Sequence, residues 1–181
     1  IRFRAVLLFS ALWFTLGYLP MAHSVWGGGW LGAMGAIDFA GGTVVHMTSG
    51  WSALLLCILV GPRTGFGKRP MTPHSMVLCV IGTGLLWAGW YGFNAGSAWT
   101  ADSIASVALL NTILAAMAGS LTWKIVEIME KRKPSLIGVL SGLIAGLVAI
   151  TPAAGLVDPK GAVIIGLASG PVCYAASVWI K

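Results

Sequence analysis

Ala36–Val60 reads AIDFAGGTVVHMTSGWSALLLCILV and holds one carboxylate, Asp38, one imidazole, His46, and no Lys or Arg. A helix needs about 20 predominantly apolar residues to cross the hydrocarbon core of a bilayer, and this run meets that requirement. Working outward, five more runs qualify or nearly qualify: Ala5–Leu19, Ser75–Ala98, Ile104–Ile128, Ser135–Ile150 and Gly161–Ile180. The first and fifth are short, which is tolerated where the bilayer thins or neighbours shield the helix ends. None has the period-2 alternation of a membrane barrel. The expected fold is an all-α integral membrane bundle of six transmembrane helices.

Composition agrees. Of 181 residues, 57% are hydrophobic and 9% charged, against about 25% charged in an ordinary soluble domain. Mean hydropathy is +0.90. So little polar surface cannot cover a water-soluble enzyme, and so much apolar surface excludes a disordered chain. Cys57, Cys79 and Cys173 all lie inside apolar runs, with no Cys-x-x-Cys and no Cys/His cluster. Neither a disulfide framework nor a metal site is expected. The chain opens on Ile1, not Met, directly into an apolar run with no signal-peptide pattern. It is therefore read as part of a longer natural chain.

The net charge of +6 does not point to nucleic acid, because the basic residues fall between apolar runs and act as topology signals. With six crossings, one side carries Arg2, Arg4, Arg63, Lys68, Arg69, Lys124, Lys131, Arg132, Lys133 and Lys181, and the other carries only Lys160. The positive-inside rule makes the first side cytoplasmic. Five or seven crossings would scatter these charges. The run from Gly61 to Pro70 cannot continue a helix. Pro134 is expected to open the fifth helix and Thr151-Pro152 to close it. Gly82, Gly84, Gly89, Gly92, Gly138, Gly142 and Gly146 sit at or near small-xxx-small spacing and predict close helix packing.

Ionisable groups at membrane depth are costly and mark functional candidates. Asp38 at the start of its helix is placed to accept the unpaired N–H groups of the first turn. It is read as a plain helix cap or as an acidic group that favours a nearby cation, and the two are compatible. His46 lies eight residues on, about 12 Å deeper along the axis, too far for a direct hydrogen bond to Asp38. It is read either as an imidazole satisfied by a neighbouring helix or as one that lines a pore. Trp90, Phe93 and Ser97 follow i, i+3, i+7 spacing on one helix face. They form either a packing stripe or a cation seat in which an aromatic face and a hydroxyl cooperate. Trp26, before Gly27-Gly28-Gly29, reads as an interfacial aromatic. His23 and His74 read as solvated.

These blocks carry a resemblance. Ala22–Gly29 (AHSVWGGG), Asp38–His46 (DFAGGTVVH), Gly65–Lys68 (GFGK), Gly89–Ser97 (GWYGFNAGS), Lys133–Ser135 (KPS) and Gly146–Pro152 (GLVAITP) resemble the ammonium transporter family, which includes the methylammonium permeases and is related to the Rhesus proteins. The likeness runs through nearly the whole chain. Trp26 and the Phe93–Ser97 block favour the ammonium branch. The resemblance implies an eleven-helix, right-handed bundle with two inverted five-helix halves, forming a homotrimer in the plasma membrane. The six segments here would be its fourth to ninth helices, a partial domain over residues 1–181.

It further implies that Trp26 and Ser97 form an extracellular ammonium site, with Asp38 supporting the site without touching the ion. Phe93 would be one of two stacked gate phenylalanines, His46 the first of two paired pore histidines, and Trp90 a pore-lining residue beside them. The second histidine would lie beyond Lys181 and the other gate phenylalanine before Ile1. Implied partners are ammonium or ammonia (with methylammonium as analogue), the lipid bilayer and a cytoplasmic regulatory protein, with no cofactor. Three functions follow as alternatives: transport, ammonium sensing on the same fold, or an incomplete stretch without transport of its own. With no nucleophile–base pair and no phosphate loop, an enzyme is not indicated.

Overall fold

The computed structural model describes residues 2–69 and 71–180. Ile1, Pro70 of the breaker run and Lys181, placed above with the basic residues of one side, lie outside the described residues. Among those described, all regular structure is helical: α1 (Phe3–Trp13), a π turn (Phe14–Tyr18), α2 (Leu19–Trp26), short α3 (Trp30–Ala33), a π turn (Gly42–Met47), α4 (Thr48–Val60), α5 (Met76–Gly96), α6 (Ser103–Lys131), α7 (Leu136–Ile150), a 3-10 turn (Thr151–Ala153) and α8 (Pro159–Trp179). Among the described residues six helical stretches are long and apolar enough to cross a membrane. The chain is a multi-pass membrane protein.

The first crossing extends well past Leu19. Pro20 lacks the N–H that an α-helix would use, and the preceding π turn absorbs the mismatch: the Leu19 N–H donates to the Phe14 carbonyl, five residues back. The helix resumes as α2 and stops at Trp26, where the glycine run begins. The second crossing starts later than the run read from sequence. Residues 36–41 form a loop, and the helix begins at Gly42. Pro134 does not open the fifth helix; Ser135 caps it, its hydroxyl accepting the Gly138 N–H at 2.9 Å, and Pro134 lies just outside.

The core sits where α6, α7 and α8 meet. Ala108, Ala115, Ile150, Ala154 and Ala162 form one buried cluster, and Trp90, Ala116 and Leu147 a second that joins α5 to α6 and α7. Small residues allow this approach, since lipid provides little hydrophobic drive and van der Waals contact must hold the helices together. A side chain added at Gly142 or Gly146 would run into the α6 backbone, whereas one added at Gly82, Gly84, Gly89 or Gly92 meets nothing within 4 Å among the described residues. The small-residue reading therefore describes packing for α7 but not for α5 within this chain.

Polar stitches fix the remaining joints. Asn111 donates from Nδ2 to the carbonyls of Ala154 and Val157, both at 2.8 Å, and pins the turn after α7. The buried Glu127 carboxylate accepts the Ser135 N–H and hydroxyl at 2.9 and 2.8 Å and ties α6 to the start of α7. The Trp13 indole donates to the Ser52 hydroxyl at 2.8 Å, joining α1 to α4.

Candidate functional site

The sequence D-F-A-G-G makes an anion nest of the Asp38 loop. Oδ1 accepts the N–H groups of Gly41 and Gly42 at 2.9 and 2.7 Å, and Oδ2 accepts those of Thr43 and Val44 at 2.7 and 3.1 Å. All four donors belong to the start of the helix, where N–H groups have no intrahelical partner. Successive N–H groups converging on an anion form such a concavity. The chain can turn this tightly because Gly41 takes φ +105°, a left-handed conformation that L side chains rarely adopt. Gly42 then passes so near Pro152 that a Cβ would come within 2.5 Å of the ring. Asp38 is 7% exposed. Both of its oxygens point into the backbone, so it acts on its surroundings through charge and shape rather than by direct contact.

The same loop places an aromatic. The Trp26 indole donates to the Asp38 carbonyl at 2.8 Å. Trp26, 46% exposed, then lines a cleft of about 500 Å3 with Ile37, Asp38, Phe39, Ser97 and Trp99. Ser97 is the C-terminal cap of α5 and still has helical backbone angles, and its hydroxyl donates to the Phe93 carbonyl at 2.8 Å. That bond leaves its lone pairs free to accept from a donor in the cleft.

His46 falls inside the π turn, where its N–H reaches back five residues to the Gly41 carbonyl. Such turns occur often at functional sites, where the extra residue re-aims the side chains that follow. The imidazole stacks on Trp90 with centroids 5.1 Å apart and lies 5.7 Å from the Phe93 ring, while Trp90 and Phe93 meet edge to face at 5.8 Å. These three rings, with Leu85, Leu86 and Gly89, line a second cleft of about 330 Å3 that is almost wholly apolar. Trp90 is buried and Phe93 is 39% exposed.

The six residues singled out from sequence thus fall three and three: Trp26, Asp38 and Ser97 on one cleft, and His46, Trp90 and Phe93 on the next. Two more are brought to the site that sequence reading passed over. Trp99 lines the first cleft from a left-handed position, φ +60°. Thr151, read only as a helix stop, sits with its oxygen 3.2 Å from His46 Nε2 and accepts the Trp90 indole N–H at 3.0 Å. The signal for Trp99 was its place two residues beyond Ser97. Thr151 gave no local signal, since its partner lies on a distant segment. His23 and His74 are exposed.

The described residues thus form a multi-pass helical membrane bundle with one cleft lined by Asp38 and Ser97 and a second, almost wholly apolar, that carries His46. The comparisons narrow this. Residues 1–181 match the model of the Ammonium Transporter Family, and the chain belongs to that family. It is 51% identical to an ammonium transporter of Bacillus subtilis (strain 168), over 96% of this chain and 42% of that protein. It is equally similar, 51%, to ammonium transporter Amt1 of Archaeoglobus fulgidus, over 94% of this chain and 43% of that one. Among solved structures it resembles Candida albicans Mep2, with 44% identity and a TM-score of 0.91 over 97% of this chain and 40% of that one. It also resembles a protein described as a sensor Amt protein, with 32% identity and a TM-score of 0.93 over 99% of this chain and 47% of that one. The chain spans less than half the length of these relatives.

Proposed function

We propose that this chain carries the recruitment seat and the first half of the conduit of an ammonium transporter. Ammonium is drawn to the cleft between Trp26 and Ser97, where an indole face attracts the cation and the Ser97 oxygen accepts one of its N–H groups. The Asp38 nest supplies negative charge behind the seat and holds Trp26 through its backbone carbonyl. Passage into the apolar cleft strips water from the ion, and desolvation penalises the charged form. Ammonia then passes Phe93, the gate, and travels along a narrow path on which the His46 imidazole offers a hydrogen-bonding group beside Trp90.

The observation that carries this reading is the placement of all six residues on two clefts with opposite chemistry, one rimmed by a carboxylate and a hydroxyl and one lined almost wholly by carbon. We further propose that the full protein is a homotrimer of eleven-helix subunits in the plasma membrane. In that arrangement Arg63, Lys68, Arg69, Lys131, Arg132 and Lys133 lie on the cytoplasmic face, where a regulatory protein would dock.

Ammonium sensing is the second reading, favoured by the likeness to the sensor Amt protein. The higher identity to proteins named as transporters, 51% against 32% to the sensor, supports transport as the first reading. Methylammonium uptake by the full-length protein in proteoliposomes separates the two: flux supports transport, and saturable binding without flux supports sensing. His46→Ala is expected to change the uptake rate or the ion selectivity at least tenfold, an estimate on the scale of one lost polar interaction. Unchanged uptake and selectivity would remove His46 from the mechanism.

A further inference from the structure

We propose that Thr151 is a positioning residue for His46: its hydroxyl fixes the imidazole as the Nε2–H tautomer and leaves Nδ1 as the accepting nitrogen. The inference rests on the reading of His46 as a conduit residue and deepens it.

The protons and lone pairs on one oxygen decide the tautomer. A threonine hydroxyl has one proton to donate and two lone pairs that accept. The proton of Thr151 is committed to the Leu147 carbonyl, 2.8 Å away. That carbonyl needs it. Helix α7 ends at Ile150 and the Thr151 N–H turns to Val148, so Leu147 does not receive the backbone donor that a continuing α-helix would give it. One lone pair takes the Trp90 indole N–H at 3.0 Å, and an indole can only donate. A single lone pair remains, and His46 Nε2 lies 3.2 Å from the oxygen. Two acceptors cannot bond each other, so this contact is a hydrogen bond only when Nε2 carries the proton.

The reverse arrangement, with the hydroxyl donating to a bare Nε2, would strip the Leu147 carbonyl of its donor. Thr151 and Leu147 are fully buried, where an unpaired acceptor is costly and water is not at hand to replace the bond. Among the described residues Nδ1 has no hydrogen-bond partner. It therefore presents a lone pair that can accept an N–H from ammonia or from a neighbouring group. The same oxygen anchors both members of the stacked His46–Trp90 pair, so it sets ring orientation as well as tautomer.

The test is 15N NMR of histidine-labelled full-length protein in lipid bilayers, above the titration range of imidazole, with His46 assigned by its loss in His46→Gln. The parent is expected to show a protonated Nε2 and a bare Nδ1. Thr151→Ser keeps the hydroxyl and should keep that pattern. Thr151→Val removes it with little change of shape, and should lower the ratio of Nε2–H to Nδ1–H about tenfold, the scale of one hydrogen bond, while shifting the Trp90 indole proton resonance. An Nδ1–H tautomer in the parent, or a ratio unmoved in Thr151→Val, overturns the proposal. The parent spectrum decides even where Thr151→Val does not fold. The stated tautomer together with uptake indifferent to His46→Ala would uphold the hydrogen-bond assignment and sink the conduit reading, so the two fail separately.

Discussion

Asp38 and Asp102 both precede a helix and both take backbone N–H groups, yet they are different devices. Asp102, exposed in the turn before α6, accepts one helical N–H, that of Ala105 at 3.0 Å, and the Thr100 hydroxyl at 2.8 Å. Asp158, before α8, likewise accepts one helical N–H among the described residues, that of Gly161 at 2.8 Å. These are ordinary caps that settle one orphan donor each. Asp38 is buried and takes four donors at once. A cap can lose its side chain and let water substitute; a nest closed off from water cannot. The difference separates a residue that tidies a helix end from one that creates the local geometry of a site.

Substitutions at three positions probe that contrast. Asp38→Ala is expected to have the largest effect. It orphans four N–H groups at a buried site where each unsatisfied donor costs about 1–3 kcal/mol, so a loss of about 3–6 kcal/mol is expected after partial relaxation. Thermal unfolding in detergent should fall steeply and methylammonium uptake should vanish. Asp38→Asn should lie between, because its amide keeps one accepting oxygen but turns two donors on the N–H groups of Thr43 and Val44. A stable, fully active Asp38→Ala protein would reduce Asp38 to a cap like the other two.

Gly42→Val comes next. Its branched side chain must enter the space of the Pro152 ring, and overpacking of this kind costs about 1–3 kcal/mol. The same unfolding assay checks it, and an unchanged midpoint would mean that the loop and the α7 end are free to separate.

Asp102→Ala is expected to move the midpoint least. Its pH dependence gives a second handle. The Ala105 N–H, then the Thr100 hydroxyl, hold the Asp102 carboxyl below its usual value. The contribution is thus present above the unfolded-state pKa and fades as pH falls through the lower folded value. The parent and Asp102→Ala should therefore differ near neutrality and converge in acid; a gap that widens in acid would contradict the cap.

How far the sequence could be read follows from the range of the forces involved. The crossings were legible because length and scarcity of charge are local properties, and the lipid requirement acts on them directly. Their edges were not. The first apolar run was bounded at Leu19, but a π turn carries the helix past Pro20 to Trp26. Asp38 looked like the first residue of its helix, whereas the four-donor nest sets the start at Gly42.

The site divides in the same way. Asp38 and His46 stood out as charge-bearing groups at membrane depth, and Trp26, Trp90, Phe93 and Ser97 through spacing and resemblance. Thr151 did not, because its meaning lies in a contact spanning 105 positions of the chain. The glycines show the limit most clearly. Identical spacing describes α5 and α7, and only the facing helix decides that Gly142 and Gly146 are closely packed while Gly84 and Gly89 are not.

One bond has wider reach than its size. The Phe39 N–H donates to the Pro152 carbonyl at 3.0 Å, and Pro152 is the residue directly after Thr151. Phe39 lines the cleft beside Trp26, and Thr151 meets His46, so this strap ties the wall of one cleft to the residue that holds the imidazole of the other. A substitution that shifts the Phe39 loop is therefore expected to move the imidazole as well, so the two clefts answer to one mechanical link.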